Sequence, residues 1–489
     1  MMPFEFIDNN APIDRASRKR IRSRAATGKN ANRTLVRAPK AHILRNPTAS
    51  TPFKAPTSLH KTRENQQNKG DDDLIVEIGR PVDDGLEFPI RVHPESRYLV
   101  REALFFFTNI RHNPQLDGAL VNPDNMRSLW VRYFFQDEAY FHCSVATSIL
   151  CSKNRVDETA QGMRHIAHTY RIVQERLHGK EATSDMTIAI LVVMSQYDRL
   201  QGQYMRGFIH VQGLYRMAQL RGGVVKLSRE CWGIAQKLLR ADLEYALQLG
   251  SKTLFGDDGI EALCEMGFPY VGNGEQVDSG DGSELDSFLK QTLRTELWAV
   301  FADMRRLGAM LNDASAGRRR KLDGVDFHCS ILLLGYRILK LNPLDEALGT
   351  AMSDLENVIQ LGLLAFLVTF LTGLDHRILD KPLLSRRLRL AIKMLSASKD
   401  AGQQSQLVQR VIMWSLFVGS AAVFKCSEDD WLNPMTQATM RTLGLYAWED
   451  AKKVLTGFPW VDALHDRAGI VLCSTQILLK FSGATDQFF

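Results

Sequence analysis

The chain has 489 residues, 45% of them hydrophobic, and a formal net charge of +6. This length exceeds that of one ordinary compact domain, and the composition is sufficient for a large hydrophobic core. The seven cysteines are odd in number and widely spaced, which favours reduced thiols in an intracellular protein over a disulfide framework.

The N-terminal segment differs from the rest of the chain in composition. Residues 1–63 contain 14 Lys and Arg residues and three acidic residues, a net charge of +11, whereas the remainder contains 47 basic and 52 acidic residues. Large apolar residues are scarce before residue 85, and four prolines lie between positions 39 and 56. Such a segment buries too little surface to offset its ordering entropy. We therefore expect residues 1–85 to form a disordered basic tail.

A dense basic cluster lies near the start of this tail. Its cationic side chains include Arg18, Lys19, Arg20, Arg22 and Arg24. Short clusters of this kind are typical of nuclear-import signals, and they can also neutralise phosphates. The cluster predicts an import signal, with an auxiliary nucleic-acid-binding arm or a merely solvated charged tail as the alternatives. No leucine heptads follow it, which argues against a basic-zipper helix.

From about residue 95 onward the hydrophobic pattern becomes helical. Apolar residues recur at helical spacing, strand signals are few, and no phrase repeats at the period of a regular solenoid. The predicted helices cover 98–108, 125–151, 161–178, 184–201, 203–220, 229–249, 287–313, 326–340, 344–371, 383–397, 404–426, 433–455 and 469–481. The expected fold is all-α, a large irregular multi-helix array over residues 95–489.

One apolar stretch, residues 358–374, could be taken for a transmembrane helix. It is interrupted by Gln360, Gly362 and Thr369, and it is shorter than the roughly 20 residues that a spanning helix needs. The pattern therefore predicts a buried core helix, and we expect no contact with a membrane.

The sequence lacks recognisable catalytic motifs. It contains no glycine-rich nucleotide-binding loop and no nucleophile elbow, so we expect no enzyme activity, no catalytic residues and no cofactor. His165 and His168 lie three residues apart on one helical face, a spacing that can serve a metal ion. No third ligand is identifiable, so structural or surface histidines are the preferred interpretation and no metal site is assigned. A helical enzyme or small-molecule sensor with a cavity between helices is one alternative class, and a purely structural interaction protein is another.

The most informative segment is the end of the predicted helix 203–220. Val211, Leu214 and Ala218 recur at helical spacing, and a double glycine follows that can adopt the left-handed conformation of a helix end. We expect one glycine within the helix to admit a neighbouring helix and the histidine to make a buried hydrogen bond. The defining residues are His210, Gly213, Arg216, Leu220, Arg221, Gly222 and Gly223.

This segment resembles the signature of the fungal-specific transcription factor domain, the regulatory domain of zinc-cluster transcription factors. Further segments are similar to that family in the same order: 163–177, 184–210, 240–255 and the late helix that contains Trp414 and Gly419. The resemblance covers most of residues 95–480. It implies a helical domain that masks, dimerises or responds to signals.

The chain departs from the full-length family pattern at the DNA-reading module. A zinc-cluster head needs six cysteines within one short span, and no cysteine precedes Cys143. The resemblance therefore implies a nuclear, transcription-factor-like regulatory protein that lacks this head and acts through protein partners. Non-specific DNA contact through the basic tail and dimerisation are left open by the sequence.

Overall fold

A computed structural model describes residues 88–90, 97–109, 113–121, 125–151, 156–267, 284–345, 352–371, 381–397, 403–425 and 429–482. Internal contacts divide the chain into Met1–Ile78 and Gly79–Phe489, and every described residue belongs to the second unit. The expected tail at 1–85, with its basic cluster, lies outside the described residues.

The described part of the chain is almost entirely helical, which confirms the predicted all-α class. The helices of its first half are α1 Arg97–Asn109, α2 Asn125–Gln136, α3 Glu138–Cys151, α4 Val156–Leu177, α5 Asp185–Leu200, α6 Tyr204–Leu220, α7 Val224–Glu230, α8 Trp232–Leu249 and α9 Gly256–Glu265. Those of the second half are α10 Glu284–Thr292, α11 Thr295–Ser315, α12 Gly324–Leu341, α13 Asp354–Val368, α14 Pro382–Ala397, α15 Gln403–Ala422, α16 Asp429–Thr442, α17 Trp448–Leu455 and α18 Asp462–Ser482.

The helices pack as a continuous array. In the first half α3 packs against α1, α2, α4 and α5, and α5 packs against α6 and α8. In the second half α13 packs against α14 and α15, while α15 packs against α16 and α18. Helix α12 contacts both α8 and α13 and so joins the two halves. Two short strands, β1 Leu120–Val121 and β2 Leu322–Asp323, pair in parallel beside this array.

Several predicted helices are divided or shortened, two of them at a capping side chain. The predicted helix 125–151 breaks at Asp137, whose carboxylate accepts a hydrogen bond from the backbone N–H of Tyr140 at 2.9 Å and so starts α3. The predicted helix 344–371 begins later, because Ser353 and Glu356 form a reciprocal capping box at the start of α13. The predicted helices 229–249, 287–313 and 433–455 are also divided, into α7 and α8, α10 and α11, and α16 and α17, but α8, α11 and α17 begin without a side-chain cap.

The apolar helix α13 lies in the protein core. Its side chains are buried along almost its whole length, including the polar Gln360, so the expectation of a core helix is confirmed. Within the described ranges, no helix combines the length and the apolar character that crossing a lipid bilayer requires.

Candidate functional site

The double glycine closes α6 as predicted. Gly222 and Gly223 have φ angles of +96° and +95°, which L side chains rarely adopt. The N–H of Gly223 donates to the carbonyl of Ala218 at 2.9 Å, and the carbonyl of Gly223 accepts from Leu227 at 3.1 Å. The two glycines therefore end α6 and start α7 within one tight turn.

Arg221 joins three helix ends beside this turn. Its guanidinium donates to Asp185 in the first turn of α5 and to Glu230 at the end of α7, the latter at 2.6 Å. The hydrogen bond and charge of Arg221 lower the pKa of Glu230. This signature arginine therefore has a structural role in fixing the α5–α6–α7 corner.

His210 faces a buried carboxylate. Its Nε2 lies 3.2 Å from Oδ2 of Asp198, while Arg206 donates to Oδ1 at 2.8 Å and the Tyr170 hydroxyl lies 3.5 Å from Oδ1. Burial raises the pKa of Asp198, but the contacts from His210 and Arg206 outweigh it, so the pKa lies below its usual value. His210 therefore lies within ion-pair distance of Asp198 and brings α6 against α5, but neither His210 Nε2 nor Asp198 Oδ2 has a hydrogen-bond partner among the described residues, so the expected buried hydrogen bond is not observed.

The close approach of helices occurs at Gly207 rather than at Gly213. A Cβ on Gly207 would lie 1.8 Å from the Tyr245 hydroxyl oxygen, which itself donates to the carbonyl of Ser195 at 2.6 Å. A Cβ on Gly213 would have no atom within 4 Å. The expectation that Gly213 admits a neighbouring helix was wrong, because no described atom approaches the position of its Cβ.

These two glycines give a matched test of packing. Gly207→Ala should lower the free energy of unfolding by about 1–3 kcal/mol, since Tyr245 has to move from its hydrogen bond. Gly213→Ala should raise it by about 0.5–1 kcal/mol, because alanine restricts the unfolded chain and meets no neighbour. Urea denaturation monitored by circular dichroism measures both changes. A Gly213→Ala variant less stable than Gly207→Ala would contradict this assignment.

The outer face of α6 carries apolar side chains without cover from the described residues. Met205, Ile209 and Leu220 are 66%, 63% and 71% exposed, and Arg216 between them is also exposed. Three such residues on one helical face exceed the scattered single exposures that are ordinary on protein surfaces. We call these four residues the α6 outer face.

The segment 240–255 supplies two buried acids rather than a reactive centre. Asp242 accepts from the backbone N–H groups of Leu254 and Phe255 and from the Tyr336 hydroxyl, the last at 2.7 Å. Burial raises its pKa to about 6, against the opposing effect of these hydrogen bonds. Glu244 is paired with arginines between α5 and α8. Asp242 therefore holds the segment that leads into α9 against α8, and Glu244 joins α8 to α5.

Trp414 and Gly419 both serve packing in α15. The indole of Trp414 is fully buried, donates to the carbonyl of Pro459 at 3.0 Å and stacks on Phe458 with ring centroids 5.4 Å apart. A Cβ on Gly419 would lie 2.3 Å from the Phe424 ring. The two signature residues therefore hold α15 against the 458–459 turn and its own C-terminal end.

A cluster of imidazoles lies between α3 and α4, and the sequence identified only half of it. Glu138 and His142 are four residues apart on α3, and His165 and His168 are three apart on α4. Nε2 of His168 lies 2.7 Å from Oε1 of Glu138, and Nε2 of His142 lies 4.0 Å from the same oxygen. Nδ1 of His142 lies 2.7 Å from Nδ1 of His165. Ligand atoms of Glu138, His142 and His168 all fall within 4.8 Å of one another.

The basic residues Arg18, Lys19, Arg20, Arg22 and Arg24 precede the described part of the chain, so their expected role stays a prediction. Comparison of the chain with protein-family models, with curated proteins and with solved structures found no significant match.

Proposed function

We propose that the chain is a nuclear regulatory protein of transcription that lacks a zinc-cluster head and acts through protein partners. The proposal rests on the ordered similarity of its segments to the fungal-specific transcription factor domain. Each described segment of that series lies on helices of a single packed array. The proposal assigns no catalytic step to any residue.

The charge distribution supports the nuclear part of the proposal. Residues 1–63 carry a net charge of +11, whereas the rest of the chain contains more acidic than basic residues. A cationic segment of this kind serves either a nuclear-import receptor or the phosphates of a nucleic acid. Of these two roles for the basic segment, we favour nuclear import over an auxiliary contact with DNA.

The α6 outer face supports the partner-binding part. It belongs to the signature segment itself, and its apolar side chains are exposed while the opposite face of α6 is buried. Exposed apolar groups on a rigid helix are typical of protein-contacting surfaces. The signature residues His210, Arg221, Gly222 and Gly223 then serve to hold this helix in place.

The import role predicts the distribution of the fluorescently tagged full chain. Replacing Arg18, Lys19, Arg20, Arg22 and Arg24 with alanine should move the protein from the nucleus to the cytoplasm. The matched control replaces a basic run in the body, Arg318, Arg319, Arg320 and Lys321, and should leave the nuclear signal unchanged. A nuclear signal that survives the first set of substitutions would contradict the import role.

The regulatory role predicts a change in transcript levels. The import variant and an Ile209→Asp/Leu220→Asp variant should both reproduce the transcript profile of a deletion, although the second protein stays nuclear. A wild-type profile in both variants would overturn the proposal. Titration of the purified chain with random duplex DNA at several salt concentrations tests whether the basic tail also binds DNA. Binding through its cationic side chains should weaken steadily as the salt concentration rises.

A further inference from the structure

We propose that Glu138, His142 and His168 form a binding site for a divalent transition-metal ion, with Zn²⁺ as the principal candidate. His165 acts as a positioning residue for His142. This site is independent of the proposed regulatory function, since it involves neither the basic cluster nor the α6 outer face.

The helix geometry brings the ligands together. Spacings of four residues on α3 and three residues on α4 place each pair on one face, and α3 and α4 pack directly against each other. Thr169 donates from its hydroxyl to the carbonyl of Ala139 at 3.3 Å beside the cluster, which fixes the two helices side by side. Inward carboxylate and imidazole groups from facing helices are a common way to build a metal site in helical proteins.

The separations of the ligand atoms suit a small tetrahedral ion. Zinc bonds to imidazole nitrogen and carboxylate oxygen are about 2.0–2.2 Å long, which separates tetrahedral ligand atoms by about 3.4 Å. The two distances from Oε1 of Glu138, 2.7 Å to His168 and 4.0 Å to His142, lie on either side of this value. Because all three ligand atoms lie within 4.8 Å of one another, side-chain rotations can bring them to bonding distance of one ion.

The ligand set also selects the class of ion. Two imidazoles and one carboxylate favour Zn²⁺ and its first-row neighbours over Ca²⁺ and Mg²⁺, which prefer oxygen. The site opens towards solvent, because the side chains of Glu138 and His168 are 45% and 30% exposed. With three protein ligands, the fourth position is left to water or to an exchangeable ligand.

His165 fixes the orientation of the inner ligand. Its Nδ1 lies 2.7 Å from Nδ1 of His142, which leaves Nε2 of His142 turned towards Glu138. A hydrogen bond on the far ring nitrogen is the usual device that orients a ligating imidazole.

Arg171 opposes metal binding at this site. Its guanidinium lies 3.0 Å from Nδ1 of His168 and donates to it, so the neutral ring carries its proton on Nε2, facing Glu138. When a metal binds Nε2, that proton moves to Nδ1 and the exposed Arg171 side chain turns into solvent. Arg171→Ala should therefore tighten metal binding several-fold, an effect that a purely structural histidine cluster would not produce.

The test titrates the full chain, stripped of metal by a chelator and kept reduced, with Zn²⁺ alone in a calorimeter. We expect one saturable site per chain. Loss of a residue that hydrogen-bonds a metal ligand lowers metal affinity by roughly 10–100-fold, so we expect His165→Ala to fall in this range. His142→Ala and His168→Ala each remove a ligand and should lower the affinity for Zn²⁺ by more. Visible absorption of bound Co²⁺ should change in the same variants.

His178→Ala is the matched control, since His178 is exposed directly after the last residue of α4 and its Nδ1 lies 2.7 Å from the carbonyl oxygen of Gln174. It should bind Zn²⁺ as the wild type does, and circular dichroism should report that the metal-free variants remain folded. Absence of a saturable site would overturn the proposal. Retention of wild-type affinity in both His142→Ala and His168→Ala would also overturn it, as would binding that depends only on the exposed thiol of Cys264.

Discussion

Trp414→Ala should lower the free energy of unfolding by about 3–5 kcal/mol, the range for truncating a large buried aromatic side chain. Trp414 is fully buried in α15 and stacks on Phe458, with the two ring planes only 12° apart. Its loss also leaves the carbonyl of Pro459 without its hydrogen-bond donor. Nearby atoms cannot readily fill the space, because Gly362 provides only backbone opposite the ring.

Urea denaturation at constant slope measures this change. Trp414→Phe should fall between the wild type and Trp414→Ala, because it retains stacking and loses the indole N–H. The control is Trp431→Ala, since Trp431 is only partly buried and contacts Phe424 edge-on at 5.0 Å. A larger loss at Trp431 than at Trp414 would contradict the importance assigned to α15.

The all-α class and most helix positions could be predicted because hydrophobic periodicity is a local property of the sequence. Helix α13 lies within its predicted range, although its first residue is Asp354 rather than Leu344. Its start depends on the side chain of Ser353, and the division between α2 and α3 depends on that of Asp137. A capping group that interrupts a continuous apolar pattern is weakly visible in periodicity, so boundaries are less predictable than helices.

The individual site residues were predictable only where the cause was local. The positive φ angles of Gly222 and Gly223 follow from glycine chemistry at a helix end. The partners of His165 and His168 lie on α3, 23 and 30 residues away. Their convergence depends on how α3 packs against α4, which no spacing along one helix encodes. The Glu138–His142 spacing was the one local signal for the missing half of this cluster.

Breaking the buried ion pair between Arg199 and Glu244 is the second change with a large expected effect. Both side chains are 3% exposed, and Glu244 also accepts from Nε of Arg240 at 2.9 Å. Arg199→Met should lower the free energy of unfolding by about 3–5 kcal/mol, because it leaves a buried carboxylate with only part of its compensating charge. An Arg199→Met/Glu244→Leu double variant should recover much of this loss, since neither charge is then buried alone.

The pH dependence distinguishes this electrostatic cause from a packing defect. Burial raises the pKa of Glu244, but the charges of Arg199 and Arg240 outweigh it and lower the pKa from 4.5 to about 2. The carboxylate therefore stabilises the fold above pH 4.5, and this contribution is lost as the pH falls from about 4.5 to about 2. The Arg199→Met variant lacks most of this contribution at any pH. The difference in the free energy of unfolding between the variant and the wild type should therefore become smaller as the pH falls.

Urea denaturation at a series of pH values between 3 and 7 measures this narrowing. Arg318→Met is the matched control, because Arg318 and its partner Asp313 are 65% and 48% exposed. An exposed pair of this kind contributes about 0–1 kcal/mol, so the control should differ little from the wild type at any pH. If the difference in the free energy of unfolding between the wild type and Arg199→Met stays constant with pH, the loss comes from packing. A loss caused by the Glu244 charge would shrink as that carboxylate is protonated.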